Sequence, residues 1–166
     1  MTAPHEIRGS ALPWWQEVRV PVPGEPAPPP AHGWACRSAL SVEARPTAPG
    51  RARRHARKVV SGWGLHDQAD TVELVVSELV TNAVRASSPA GRPLGGPRVR
   101  LRLATDRTLI LVEVWDENPG LPALVHPDLD DESGRGLVLV AALCERWGWE
   151  LCRDRGGKLV WALVET

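Results

Sequence analysis

Between about Asp67 and Ser87 the apolar residues fall at the spacing of a single helix. Val72, Val75, Val76, Leu79, Ala83 and Ala86 recur at i, i+3, i+4 and i+7, so this stretch has to bury one stripe against something else. Its polar residues are placed just as regularly. Glu78 and Asn82 stand four apart, which stacks them one turn above the other on one face. A carboxylate and a carboxamide so arranged can act as a base and a metal ligand. They can equally be ordinary solvated residues, because short motifs match often by chance. What the rest of the chain sets beside this helix decides between the two.

Two strands are the first partners it offers. Val99, Leu101 and Leu103 alternate with Arg98, Arg100 and Arg102, the pattern of a half-buried strand with an arginine-studded outer face. Leu109 to Trp115 is apolar almost throughout and belongs nearer the centre of a sheet, with Thr105 to Thr108 as the hairpin connection. It ends in Asp116-Glu-Asn-Pro-Gly120, a turn sequence able to present a carboxylate into a pocket. An acidic, proline-containing loop then runs to about Ser133. Ser133-Gly134-Arg135-Gly136 opens an apolar helix expected from Leu137 to about Trp147. Glycines before a helix N-terminus let backbone N–H groups close on an anion, which the helix dipole also favours. Two closing strands are expected, Trp149 to Arg153 and Lys158 to Val164, joined by Asp154-Arg155-Gly156-Gly157. Lys158 after two glycines is no P-loop, since Cys152 holds the first glycine position and Leu159 replaces the Ser/Thr.

Upstream, Trp34 to Ala44 alternates loosely, as an edge strand would. Pro46, Pro49 and Gly50 mark a loop, and Arg51 to Trp63 reads as a helix. Its basic run, Arg51 to Lys58, is best read as a solvated face, with His55 a surface residue. Residues 1 to 33 hold eight prolines, which excludes a helix or central strand there and predicts a flexible or polyproline-like tail. Trp14-Trp15 in that tail is either a docking motif or a pair that folds back on the domain.

The chain of 166 residues is the size of one domain, so the expected division is a tail, 1–33, and a domain, 34–166. Formal net charge is zero, which gives no reason to expect nucleic acid or an anionic membrane surface as a partner. Cys36, Cys144 and Cys152 are an odd count without a CxxC pair and predict free thiols in a reducing compartment. There is no apolar leader and no run near the ~18 apolar residues of a spanning helix. A cytoplasmic protein is the expectation.

The order of these pieces carries more than any one of them. A helix with Glu78-Leu-Val-Thr-Asn82-Ala, a strand ending in Asp116, a loop, Gly134-Arg-Gly-Leu137 and Gly156-Gly-Lys-Leu-Val-Trp161 together resemble the GHKL ATPases. The nearest likeness is to the small bacterial anti-sigma-factor serine/threonine kinases, over roughly residues 35 to 166. The resemblance implies an α/β (α+β) two-layer sandwich, a mixed, mostly antiparallel sheet with helices on one face. It implies ATP and Mg²⁺ as cofactors, with Asn82 on the metal and Glu78 as the base. Asp116 would accept the adenine amino N–H, and Gly134, Arg135 and Gly136 would wrap the phosphates. Arg85, Asn118, Gly120 and Leu137 complete the implied nucleotide contacts. Asn118 stands where the family often has glycine, and Leu159 and Ala86 where threonine and histidine are common.

The implied activity is phosphorylation of a serine or threonine on a small regulatory protein. The implied partners are a sigma factor or an anti-anti-sigma-type protein, with a homodimer possible and no direct nucleic-acid or membrane contact. A binding module that senses ATP without transfer is the alternative. A detached histidine-kinase ATPase domain is a third, but the chain has no phospho-acceptor histidine helix. Removing residues 1 to about 30 is expected to leave the melting temperature and nucleotide binding unchanged, because proline-dense backbone cannot pair into a sheet or helix. A large drop in melting temperature on truncation would show Trp14-Trp15 packing on the domain.

Overall fold

The computed structural model describes residues 34–87, 96–120, 122 and 135–166. The proline-rich stretch with Trp14-Trp15, the break at 88–95, Gly134 and most of the acidic loop lie outside the described residues. Alternation in the sequence becomes pleat: β1 (Cys36–Glu43), β2 (Arg98–Thr105), β3 (Leu109–Asp116), β4 (Arg146–Leu151) and β5 (Lys158–Glu165) form one sheet in the order β1-β2-β3-β5-β4. All four pairings are antiparallel. The near-continuously apolar β3 takes the middle place, as its sequence requires, because both of its faces are covered.

Three helices lie on one face: α1 (Ala48–Gly62), α2 (Ala69–Ala86, entered through a short 3₁₀ turn at His66–Gln68) and α3 (Arg135–Leu143). The layers meet at Val72, Val75, Val76, Leu79, Val80 and Ala83 of α2, packed over Val99, Leu101, Leu103, Val112, Val114 and Val160. α1 docks on α2 through Ala48, Ala52, Ala56 and Val60, whose small side chains bring the two helices close. On the opposite face a second cluster, Ala104, Leu111, Trp161 and Leu163, is covered by Trp34 and Leu109. Arg98, Arg100 and Arg102 are exposed on that face, as the alternation predicts. They are not idle: Arg98 donates to Ser41 Oγ at 3.0 Å, Arg100 lies 4.9 Å from the Trp115 ring centroid, and Arg102 grips Glu113 with two hydrogen bonds.

Some boundaries depart from the sequence reading. α1 begins at Ala48 because Pro49 occupies the first helical turn, where its missing N–H is no loss. α3 stops at Leu143, and Trp147 belongs to β4, which begins at Arg146 and ends at Leu151. The helix closes with the Cys144 N–H on the Val140 carbonyl, and the sheet starts at once with the Glu145 N–H on the Leu163 carbonyl. Gly148 permits this, since a Cβ there would come within 2.7 Å of the Trp161 ring. His55 is not simply on the surface. It is half-buried, its Nε2 lies 3.0 Å from Ser38 Oγ, and burial, then Lys58, lowers its pKa.

The three cysteines are free, and burial pushes the Cys144 thiol up to about 12. No helix among the described residues is long and apolar enough to cross a membrane. Leu103, fully buried between Ser38 of β1 and Val112 of β3, measures how tightly the layers are packed. Leu103→Ala should cost about 2–5 kcal/mol, read as a lower urea midpoint at unchanged slope.

Candidate functional site

Only half of α2 faces the core, and its other stripe is not left to solvent. Asn82, Arg85 and Ala86 form one wall of a pocket of about 250 Å³. The end of β3 and its exit supply Val114, Asp116 and Asn118; β5 supplies Lys158 and Val160, α3 supplies Leu137, and Gly120 and Pro122 complete the lining. Small-molecule sites span roughly 300–1,000 Å³, so this space suits a flat ring system more than a whole nucleotide. A longer ligand would extend along α2 toward Glu78.

The floor of the pocket is set by sheet register. Asp116, the last residue of β3, stands directly across from Lys158, the first of β5. Both are buried, at 1% and 4% exposure. Lys158 Nζ donates to Asp116 Oδ1 at 2.8 Å and to the Asn118 carbonyl at 3.1 Å, and the Asn118 N–H donates to the same Oδ1 at 3.0 Å. The second carboxylate oxygen, Oδ2, is buried without a hydrogen-bond partner. Burial pushes the Asp116 carboxyl up from its ordinary value, while the Lys158 hydrogen bond and charge and then the Asn118 N–H pull it back. A buried acceptor without a partner calls for an explanation, and a donor on a ligand is one that a pocket beside it allows.

Backbone geometry holds the pair in place. Gly157 has φ +77°, and a Cβ there would run into the Asp116 carbonyl oxygen. The β4–β5 hairpin can therefore come this close only with glycine at that position. The neighbouring Gly156 carbonyl accepts from Trp115 Nε1 at 3.1 Å. Asn118 joins the turn to the end of α2: its Nδ2 donates to the Ala86 carbonyl at 2.5 Å, and its Oδ1 accepts the Gly120 N–H at 2.7 Å. Where a glycine would leave this turn loose, Asn118 ties it down.

The other expected residues divide into three groups. Asn82, Arg85, Asp116, Asn118, Gly120 and Leu137 all line the pocket. Glu78 does not; it lies a turn away, with its carboxylate against Gly136, so close that a Cβ on Gly136 would collide with Oε2. Gly134 and the side chain of Arg135 lie outside the described residues, although the Arg135 backbone begins α3. Among the described residues, no three His, Cys, Asp or Glu side chains gather into a metal site. An ion held at Asn82 would have to bring most of its own oxygens.

Lys158 is the residue that the sequence reading left out of the site. The signal lay in Gly156-Gly157-Lys158, but its meaning depends on the pairing of β3 with β5, which no local pattern specifies. A family model described as the histidine kinase-like ATPase domain matches residues 42–163, from the end of β1 to near the end of β5. No curated protein matches the chain.

Gly157→Ala tests the close approach on which the floor rests. A side chain at that positive φ costs about 1–2 kcal/mol from backbone strain alone, and the collision with the Asp116 carbonyl adds to it. We expect a fall in urea-unfolding stability larger than that strain, whereas Gly156→Ala, with open space around its Cβ position, should lose only the strain.

Proposed function

Since the chain belongs to the histidine kinase-like ATPase domain family and so has an ATP-binding fold, we propose that it is an ATP-dependent regulatory kinase that phosphorylates a serine or threonine on a small partner protein of a sigma-factor circuit. The observation that carries the nucleotide reading is the unpartnered Oδ2 of Asp116 in the pocket floor. Adenine brings an exocyclic N–H donor to that oxygen, whereas guanine would set its O6 acceptor against it. A hydrogen bond to a charged group contributes about 1.5–3 kcal/mol, so ATP should bind roughly 10–100 times more tightly than GTP.

Each residue has its part. The apolar walls, Val114, Leu137 and Val160, hold the base. Asn82 offers one carboxamide oxygen, which fits Mg²⁺, a hard cation that keeps waters and phosphate oxygens in its shell. Arg85, exposed in the wall, offers charge to the anionic part of the ligand. The first turn of α3 offers backbone N–H groups to phosphates, with Gly136 keeping side chains clear of Glu78. Bound ATP would supply the transferable phosphoryl group. Glu78 would accept the proton of the partner's hydroxyl.

A second reading, an ATP-sensing binding module without transfer, draws on one observation: Glu78 lies against Gly136 and is not part of the pocket wall. Thermal melts test the site first. With Mg²⁺ and ATP at one hundred times Kd, the fold should gain about 2.7 kcal/mol, with a clearly smaller gain for GTP at the same concentration. Equal shifts, or none, would sink the assignment of Asp116. Glu78→Gln then separates the two readings. Kinase action predicts ATP affinity within a few-fold and transfer lowered by roughly 10²–10⁴. A wild-type protein that transfers nothing, with partner binding still dependent on ATP in the variant, supports the sensor.

A further inference from the structure

We infer that Lys158 is the residue that sets base selectivity in this pocket: by occupying Asp116 Oδ1 it keeps the carboxylate in its acceptor-only form, with Oδ2 reserved for a donor on the base. The inference rests on reading the pocket as a nucleotide site, and it assigns a role to a side chain outside the residues that contact phosphate or metal.

The geometry leads there step by step. Asp116 and Lys158 are direct cross-strand neighbours, both buried, joined at 2.8 Å. Oδ1 receives two donors, Lys158 Nζ and the Asn118 N–H, and Oδ2 receives none. A proton arriving on this carboxyl would therefore go to Oδ2. That would exchange an acceptor for a donor at the atom left for the ligand. The charged form accepts the adenine amino N–H and refuses the guanine O6; the protonated form donates to guanine O6 and no longer favours adenine.

Burial drives Asp116 toward the protonated form, and Lys158 opposes it first by hydrogen bond and then by charge. The other groups around the carboxylate do not replace Lys158. Arg85, on α2, shares the pocket wall but makes no hydrogen bond to Asp116 that the structure records. From the β4–β5 hairpin, Cys152 lies within electrostatic reach of Asp116, with Glu150 and Arg155 beside it as charges of opposite sign. Val99, the β2 neighbour across from Asp116, is apolar.

The sign for binding follows. The folded-state carboxyl holds its proton to a higher pH than an unfolded aspartate does, and removing Lys158 takes away the main opposition, which raises that pH again. In Lys158→Met, then, ATP affinity should decline as pH falls toward the new pKa, and GTP affinity should not.

The experiment is calorimetric titration of full-length wild type, Lys158→Met and Asp116→Asn/Lys158→Met with Mg-ATP and Mg-GTP, from about pH 6 to about pH 8. ATP and GTP carry the same triphosphate, so its own titration cancels in the ATP/GTP affinity ratio. Wild type should keep a constant ratio. In Lys158→Met the ratio should fall with pH, approaching about tenfold per unit below the carboxyl's pKa.

The double variant has no charge at either position and so no buried ion to strand. Its ratio should be flat with pH and close to one, because the asparagine amide can turn to either base. It also keeps the inference testable where the single variant fails to fold. A lysine that merely braces the Asn118 turn would lower both affinities together and leave the ratio and its pH profile as in wild type; that result overturns the inference. A double variant that retains the full wild-type ratio overturns it as well. Absence of ATP binding by wild type is a different failure, of the nucleotide reading itself, and the inference falls with it.

Discussion

An aspartate and a lysine buried at the end of the sheet impose more on this chain than any other contact. Removing two ions from water costs several kcal/mol each, returned only when geometry is good and the remaining hydrogen-bonding capacity is met. The pair therefore dictates its surroundings. Asp116 must end β3 and Lys158 must start β5 in that register. Gly157 must lack a side chain, or the hairpin could not lie against the Asp116 carbonyl. Asn118 must turn back to meet both Oδ1 and the end of α2. Replacing a buried ion pair by well-packed apolar residues is often neutral or stabilising, so these charges add little net stability for what they impose.

The same division of labour runs through α2. Its apolar stripe, Val72, Val76, Leu79 and Ala83, fastens it to the central strands, and burial of that stripe fixes the rotation of the helix. Once the rotation is fixed, Asn82 and Arg85 have no choice but to line the pocket, and Glu78 no choice but to meet Gly136. The precision of the polar side is inherited from the packing of the apolar side. Placing such groups on a rigid helix instead of a loop is what makes a preorganised site practicable.

This explains how far the sequence could be read. Periodicity identified α2, the alternation of β2 and the central place of β3, because each is a local pattern with one geometric meaning. Glu78, Asn82 and Asp116 came with those elements. The border between α3 and β4 was not legible, since from Leu137 to Trp149 an apolar residue is rarely more than two positions away and no proline or loop interrupts the run. Lys158 was visible as a residue but not as a site residue. Its role is created by the pairing of β3 with β5, across a segment of more than forty positions that contains α3 and β4, and such pairing is a property of the whole sheet.

The sheet carries a second cross-strand charge pair, and its carboxylate is satisfied differently. Glu113 on β3 faces Arg102 on β2, and like Asp116 it is almost wholly buried. Arg102 engages both of its carboxylate oxygens, Oε1 and Oε2, the bidentate arrangement in which a carboxylate is best satisfied. Both oxygens are taken, and Glu113 ties the two strands together. Lysine, a single point charge with no planar fork, cannot close both oxygens of Asp116 in that way. An arginine at 158 would be drawn toward the same two-oxygen grip and would occupy Oδ2 as well. Lysine on one face and arginine on the other therefore leave the two carboxylates differently satisfied. On the outer face the sheet satisfies its acid completely, and beside the pocket it leaves one carboxylate oxygen without a partner.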